Sequence, residues 1–193
     1  MKRRLWEQAI QCYVRASPSN EYLYLAKEAH ACYMIEQARQ QPELYLNAAI
    51  YFLEGDKQRH ELRYLHCAAF CLKRSNPPKY LEAATLFECL GKPDKAAQLY
   101  LKVKDIKNYA KLKESMGQHV QVIKTLLKRL QKREALRKAD EYEKQGVVLP
   151  KDLCVSELSY SLANFYTKMG DKKTLIEVLT FMPEADKKIK IFK

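Results

Sequence analysis

The sequence predicts an all-α protein, an α-solenoid of about eleven helices arranged as antiparallel hairpins. Three observations support this fold class. Leu, Ala, Lys, Glu and Gln are plentiful, whereas 193 residues contain only 5 glycines and 7 prolines, and that composition favours helix. Apolar residues recur at helical spacing along most of the chain. Finally, all five glycines end the same short pattern, which indicates an internal repeat.

The repeated pattern is an alanine, six residues and a glycine. It occurs at Ala48 to Gly55, Ala84 to Gly91, Ala110 to Gly117, Ala139 to Gly146 and Ala163 to Gly170. In four of the five copies an aromatic residue follows the alanine by three positions, whereas the third copy has Lys113 there. Because alanine is small it lets a neighbouring helix approach closely, and glycine readily adopts the left-handed conformation that ends a helix. Each copy therefore predicts a helix with a defined end.

In the first half of the chain, an amphipathic helix is predicted over residues 3–16. Ser17-Pro18-Ser19-Asn20 stops it and supplies the N-cap of a long helix that runs to about Gln40. Pro42 begins a helix that is predicted to end at Gly55, and Asp56 is predicted to cap the next one, which runs through Leu72.

Shorter helices are predicted after the break at Asn76-Pro77-Pro78. They cover residues 79–90, 94–104, 106–116, 118–131 and 133–145. A second break runs from Gly146 to Pro150 and precedes a long helix to Met169 and a last helix near 171–181. We interpret residues 1–193 as one helical-repeat domain with possible internal boundaries near 75–79 and 146–151.

The unit from Tyr80 to Val103 resembles a tetratricopeptide repeat. Its first helix has Ala84, Phe87 and Gly91, and its second has Ala96 followed four residues later by Tyr100, which is the small-and-aromatic signature of that family. Ala9 and Tyr13 reproduce only the second-helix half, so the chain is predicted to begin in mid-repeat, as a fragment of a larger protein. Most of the units are shorter than the roughly 34 residues of a regular tetratricopeptide repeat.

Degenerate solenoids of this type are also found in vesicle-coat and ciliary-transport proteins. This chain is most similar to the repeat region of the large tetratricopeptide-and-ankyrin proteins that have a superfamily-1 helicase-like core. The resemblance implies a right-handed superhelical scaffold in which repeat-packing residues build the array. Those residues are Ala48, Gly55, Ala84, Phe87, Gly91, Ala96, Tyr100, Ala110, Gly117, Ala139, Gly146, Ala163, Tyr166 and Gly170.

Catalytic and metal-binding motifs give little signal. Cys67 and Cys71 lie one helical turn apart near His60 and His66, but a zinc site needs about four convergent ligands, and the apolar residues around them favour a packed helix. The six cysteines are scattered and are interpreted as reduced core residues of an intracellular protein. Gly91-Lys92 lacks the remainder of a phosphate-binding loop. We therefore expect no cofactor, no metal and no catalysis in this segment.

Positive charge is concentrated in one quarter of the chain. Residues 101–150 have 13 Lys and Arg against 6 Asp and Glu, a net +7 out of +12. The cluster consists of Lys124, Lys128, Arg129, Lys132, Arg133, Arg137 and Lys138. It is interpreted either as a solvated outer face or as a surface for an acidic peptide or a nucleic-acid backbone. Few aromatic residues alternate with these charges, so base stacking is not indicated.

The function expected from the sequence is that of a non-catalytic protein-interaction scaffold with a protein or peptide partner. The alternative is a basic helical accessory domain of a helicase-like protein that contacts the nucleic-acid backbone without sequence preference. No stretch approaches the roughly 20 apolar residues of a membrane span, and no signal-peptide pattern is present at Met1. The expected location is therefore intracellular, in the cytoplasm or the nucleus.

Overall fold

The computed structural model describes residues 2–16 and 21–182, with the side chains of residues 2–4, 58 and 59 left out. Within that part of the chain there are eleven α-helices, one 3₁₀ turn and no strand. The predicted all-α class and the predicted number of helices are confirmed. The predicted N-cap at Ser17-Pro18-Ser19-Asn20 lies outside the described residues.

The helices are numbered in chain order. The first six are α1 (Lys2–Ala16), α2 (Glu21–Gln37), α3 (Leu44–Arg59), α4 (Leu62–Arg74), α5 (Tyr80–Cys89) and α6 (Pro93–Lys102). The others are α7 (Ile106–Ser115), α8 (His119–Lys128), α9 (Lys132–Lys144), α10 (Val155–Met169) and α11 (Lys172–Leu179), with the 3₁₀ turn at Lys151–Leu153 between α9 and α10.

The chain divides into two compact units, Met1–Tyr109 and Ala110–Lys193. In the first unit each helix from α1 to α6 packs on its neighbour in the chain, and in the second α8 packs on α9, α9 on α10 and α10 on α11. The breaks that the sequence predicts near 75–79 and 146–151 are connections inside these two units, between α4 and α5 and between α9 and α10.

A regular period of 13 residues runs from α5 to α9. These five helices begin at Tyr80, Pro93, Ile106, His119 and Lys132, so each start follows the previous one by 13 residues. The connections between them are three residues long, and the middle residue of each has a positive φ: Gly91 at 64°, Lys104 at 61°, Gly117 at 70° and Leu130 at 62°. The glycine pattern in the sequence marks every second one of these turns.

A hydrogen bond characteristic of a Schellman motif closes each turn. The backbone N–H that follows the left-handed residue donates to the carbonyl oxygen five residues earlier. The four bonds are Lys92 to Phe87 at 2.8 Å, Asp105 to Tyr100 at 2.9 Å, Gln118 to Lys113 at 2.8 Å and Gln131 to Leu126 at 3.0 Å. The same bond follows Gly146 and Gly170. In the copies of the pattern that end at Gly91, Gly117, Gly146 and Gly170, the residue three positions after the alanine supplies the carbonyl oxygen that accepts this bond. That residue is usually aromatic.

The buried residues follow the same period. Positions 83, 96, 109, 122 and 135 are buried, as are positions 84, 97, 110, 123 and 136. A third row comprises Phe87, Tyr100, Lys113, Leu126 and Ala139, all of them buried. Lys113 is the polar member of that row, and its Nζ donates to Oε1 of Gln118 at 2.7 Å. Each of these three positions therefore lies in the core in every repeat, although the size and polarity of the side chain change from one repeat to the next.

Gly55 differs from the other four glycines, and the predicted helix end there is wrong. Gly55 lies inside α3, which continues to Arg59 and ends at His60 with φ of 51°. A Cβ atom at Gly55 would lie 3.4 Å from the ring of Tyr64. The glycine at this position faces an aromatic side chain of α4 and does not form a turn. Asp56 correspondingly lies within α3 and does not cap α4.

Two further predictions are corrected. Only Cys71 is buried among the free cysteines: Cys12, Cys32 and Cys89 are exposed, and Cys67 and Cys154 are partly buried. Their apolar spacing overestimated their burial because a small thiol is tolerated at the edge of a helix stripe. The helix predicted over 118–131 ends at Lys128, because the Schellman turn occupies residues 129–131.

Candidate functional site

The seven basic residues singled out by the sequence lie on α8, on α9 and in the turn that joins them. Lys124 and Lys128 are exposed on α8, one helical turn apart, and Arg129 is partly buried in the turn. Lys132, Arg133, Arg137 and Lys138 belong to α9. The contacts of these side chains separate those that are paired within the protein from those that are exposed and form no ion pair.

Two members of the cluster bind carboxylates of the protein itself. Nζ of Lys138 lies 2.9 Å from Oε1 of Glu114 and 2.9 Å from Oε2 of Glu141. Burial by itself would lower the pKa of Lys138, but its hydrogen bonds to these carboxylates raise it. Nη1 of Arg133 lies 2.6 Å from Oε2 of Glu177 on α11, and both side chains are about half exposed. The positive charges of Lys138 and Arg133 are thus neutralised by these carboxylates.

Lys132 takes a third role. Its ammonium group lies over the ring of Phe165 on α10, with Nζ 3.0 Å from the ring centroid. This cation–π contact joins α9 to α10 through Phe165, a residue that remains 39% exposed. Lys132 is partly buried, so it is not a member of a fully solvated face.

Lys124, Lys128 and Arg137 are the exposed members of the cluster that form no ion pair within the described residues. Lys124 and Lys128 stand on the solvent side of α8, opposite the buried Val122, Ile123 and Leu126. Arg137 follows Arg133 by one turn on α9, and side chains so spaced lie on the same helix face.

Arg133 and Arg137 stand at the mouth of a cavity between α9 and α11. The cavity has a volume of about 200 Å³ and is lined by Arg133, Leu136, Arg137, Glu177, Val178, Thr180 and Phe181. Leu136 and Val178 are each 1% exposed and form an apolar floor, whereas the charged groups lie at the rim. We call this space the α9–α11 cavity. It combines an apolar floor with one arginine that has no carboxylate partner in the described part of the chain.

A second cavity adjoins the first. It measures about 230 Å³ and is lined by Leu130, Gln131, Lys132, Arg133, Glu134, Arg137 and Tyr166. Arg133 and Arg137 line both cavities, so the two spaces share this pair of arginines. Ligand pockets for small molecules usually have volumes of roughly 300–1,000 Å³. Each of these two cavities is of a size to receive a single side chain.

A polar cluster in the second unit holds α9 in place. The hydroxyl of Tyr142 donates to Oε1 of Glu114 at 2.6 Å, and Lys138 binds the same oxygen. The ring of His119 packs on that of Tyr142, with centroids 4.6 Å apart. Burial would raise the pKa of Glu114, but the hydrogen bonds from Tyr142 and Lys138 lower it below its ordinary value. The carboxylate is therefore kept ionised beside a tyrosine that is fully buried.

The cysteine and histidine cluster of α4 has the properties of a packed helix. Burial, followed by the neighbouring thiols of Cys67 and Cys32, raises the pKa of Cys71 to about 12. Burial also lowers the pKa of His66, with help from Lys92 and Lys95. No group of three or more potential metal ligands occurs among the described residues. Over the same residues, no helix has both the length and the apolar composition of a membrane span.

Sequence reasoning found the arginines of this site but missed its apolar part. Glu177 lies 44 positions from Arg133, and no local pattern links residues so far apart. Phe181 and Val178 could be recognised only as apolar positions of the last helix. The alternation of paired and unpaired charges on α9 depends on which carboxylates the fold brings close, and a single sequence does not give that information.

No protein-family model matches this sequence, and neither the curated proteins nor the solved structures include a significant match to it.

Proposed function

We propose that this chain is a tetratricopeptide-like solenoid that binds protein partners and has no catalytic role of its own, in the cytoplasm or the nucleus. The observation that best supports a binding role is the α9–α11 cavity. An apolar floor beneath an unpaired arginine is typical of surfaces that anchor one side chain of a partner, because burial supplies affinity and the charge supplies orientation.

The regular turns support the scaffold part of the proposal. From α5 to α8 each helix together with the turn that follows it takes 13 residues, and the same three buried positions recur from α5 through α9. Segments of constant length with recurring buried positions are typical of repeat scaffolds, in which the outer positions are free to vary. The partner-facing side chains can then change without loss of the fold.

A second candidate is a contact surface for a nucleic-acid backbone. The observation that favours it is the pair of exposed lysines on α8, Lys124 and Lys128, which form no ion pair within the described residues. It has weaker support because Lys138 and Arg133 are neutralised by carboxylates. A phosphate backbone gains affinity from several unpaired cations in a row, and here the row is interrupted.

Affinity capture from a cell extract, with and without nuclease treatment, tests the proposal. We expect the immobilised chain to retain a set of proteins after nuclease digestion. We also expect salt to release only part of these proteins. Loss of all the captured material after nuclease would contradict a protein-binding role and would favour the nucleic-acid alternative. A chain carrying Lys124→Glu and Lys128→Glu serves as the control, because it removes the charge pair on which the alternative depends.

A further inference from the structure

We infer that the α9–α11 cavity binds an acidic peptide segment that inserts one apolar side chain, while Arg137 binds a carboxylate of the same segment and Glu177 limits its affinity. This inference rests on the proposed function, since it names the class of partner for the site described above. No residue of α8 lines this cavity.

The floor of the cavity determines the apolar part of the partner. Leu136 and Val178 are almost completely buried, and Phe181 is partly buried at one side. A space of about 200 Å³ accepts one aliphatic or aromatic side chain and excludes a larger group. Removal of such an apolar side chain from water is favourable. A short segment therefore needs only one apolar anchor to gain useful affinity here.

The rim determines the sign of the charge on the partner. Arg137 is exposed and forms no ion pair in the described part of the chain, and it lines both cavities together with Arg133. A guanidinium group binds a carboxylate through two parallel hydrogen bonds. An acidic residue next to the anchor would lie over Arg137, so the favoured segment has a carboxylate beside its apolar residue.

Glu177 shows how a carboxylate is already accommodated at this rim. Its Oε2 accepts from Nη1 of Arg133 at 2.6 Å, the contact that a carboxylate of a partner would make. Because Glu177 forms an ion pair with Arg133, Arg137 is the principal positive charge that a partner can bind. The carboxylate of Glu177 also repels incoming anions. Replacing Glu177 by glutamine would free Arg133 and remove the repulsion, and binding should then become tighter.

Two other occupants fit the site less well. A nucleic-acid strand would bring phosphates against Glu177 and would leave the apolar floor empty. The chain's own residues 183–193 have four lysines but only one glutamate and one aspartate, so their charge does not complement the arginines. A separate acidic segment with one apolar anchor matches both the floor and the rim.

Fluorescence anisotropy with a labelled peptide tests the inference. The probe is a short peptide in which one leucine is flanked by glutamates, and the control peptide has serine in place of the leucine. The protein is the full chain and four variants: Arg137→Glu, Glu177→Gln, and the matched controls Lys168→Glu and Glu157→Gln, which change exposed residues of α10 by the same charge. Circular dichroism verifies that each variant is folded.

We expect Arg137→Glu to weaken binding of the leucine peptide about tenfold, the order expected for loss of a directed charge contact. Glu177→Gln should tighten it about threefold, and the two α10 controls should change it less than about twofold. The serine peptide should bind at least several-fold more weakly than the leucine peptide.

Four results would overturn the inference. They are no measurable binding of the leucine peptide, equal binding of both peptides, equal losses for Arg137→Glu and Lys168→Glu, or equal effects of Glu177→Gln and Glu157→Gln. A single-stranded oligonucleotide that binds more tightly than the peptide and displaces it would overturn it in favour of a phosphate site. If proteins are still captured after nuclease while these tests fail, the proposed function stands and only the partner class is wrong.

Discussion

Glycine has two different uses in this chain, and the difference can be measured. Gly91 has φ of 64° and a Cβ atom there would project into open space, whereas Gly55 is helical and faces the ring of Tyr64. The left-handed conformation costs an alanine roughly 1–2 kcal/mol. In a helix interior, by contrast, alanine is more favourable than glycine by about 1 kcal/mol.

Gly91→Ala is therefore expected to lower the free energy of unfolding by about 1 kcal/mol, because only the backbone conformation opposes it. Gly55→Ala should be neutral or raise it by up to about 1 kcal/mol, since 3.4 Å is an ordinary contact for the added methyl group. Urea titration followed by circular dichroism measures both. A larger loss at Gly55 than at Gly91 would show that the two positions have been assigned the wrong roles.

Lys104 offers the reverse experiment. It is exposed and has φ of 61°, in the turn that corresponds to those of Gly91 and Gly117. Glycine removes the conformational cost at such a position, less the entropy it adds to the unfolded chain. We expect Lys104→Gly to raise the free energy of unfolding by about 0.5–1 kcal/mol. A loss of stability in the same urea titration would mean that the 13-residue period does not extend through this turn.

At the scale of helices, tyrosine–glutamate hydrogen bonds tie different helices together. The hydroxyl of Tyr64 on α4 donates to Glu28 on α2 at 2.8 Å, and that of Tyr142 on α9 donates to Glu114 on α7 at 2.6 Å. Tyr100 on α6 makes the same kind of bond to Glu88 on α5. The three tyrosine rings are buried, so each helix gains a directional contact in addition to apolar packing.

Tyr142→Phe is predicted to destabilise the second unit by about 1–2 kcal/mol at neutral pH, since it removes a hydrogen bond to a charged acceptor. The pKa of Glu114 is lower in the folded protein than in the unfolded chain. Its contribution is therefore present above the unfolded pKa of about 4.3 and is lost as pH falls through the folded pKa. The difference between wild type and Tyr142→Phe should shrink accordingly below about pH 4.

Denaturant unfolding of both proteins at pH 7 and near pH 3 provides the measurement. Tyr45→Phe is a suitable control, because the Tyr45 ring packs edge-on against Phe70 in the first unit and lies far along the chain from this cluster. A destabilisation that stays the same at both pH values would show that the hydrogen bond does not depend on the charge of Glu114.

The sequence predicted the helices well because helix signals are local. Periodic apolar residues located the eleven helices of the described residues, and Gly91, Gly117, Gly146 and Gly170 marked four turns with a positive φ. The 13-residue period was hidden because Lys104 and Leu130 occupy equivalent turns without glycine. Gly55 was misassigned because its role depends on Tyr64, a contact between helices and not a local one.

The site was predicted less completely for the same physical reason. Lys124, Lys128 and Arg137 could be identified as basic residues on a polar face. Whether a cation is neutralised depends on distant residues: Glu114 binds Lys138, and Glu177 binds Arg133. The apolar floor between α9 and α11 also requires residues more than 40 positions apart to meet, which periodicity does not encode.

For the molecule as a whole, a net charge of +12 produces some polyanion binding at low salt whatever the surface geometry. The chain offers a matched comparison. Lys107 and Lys111 are exposed on α7 with the same spacing as Lys124 and Lys128 on α8. We expect the double change to glutamate on either helix to weaken binding of a single-stranded oligonucleotide equally, with steep salt dependence in each protein.

Electrophoretic mobility shifts over a range of salt concentrations give this comparison. A much larger loss for the α8 pair than for the α7 pair would identify α8 as a specific phosphate-binding face. That result would favour the basic accessory domain as the function of the chain.

The central claim is that the second unit recognises a partner through the surface between α9 and α11. Hydrogen exchange, measured by mass spectrometry with and without the leucine-and-glutamate peptide, tests it most directly, because slower exchange reports where a ligand stabilises the backbone. We predict slower exchange in residues 132–144 and 172–179, with residues 119–128 unchanged. Protection confined to residues 119–128, or spread evenly over the chain, would contradict the claim.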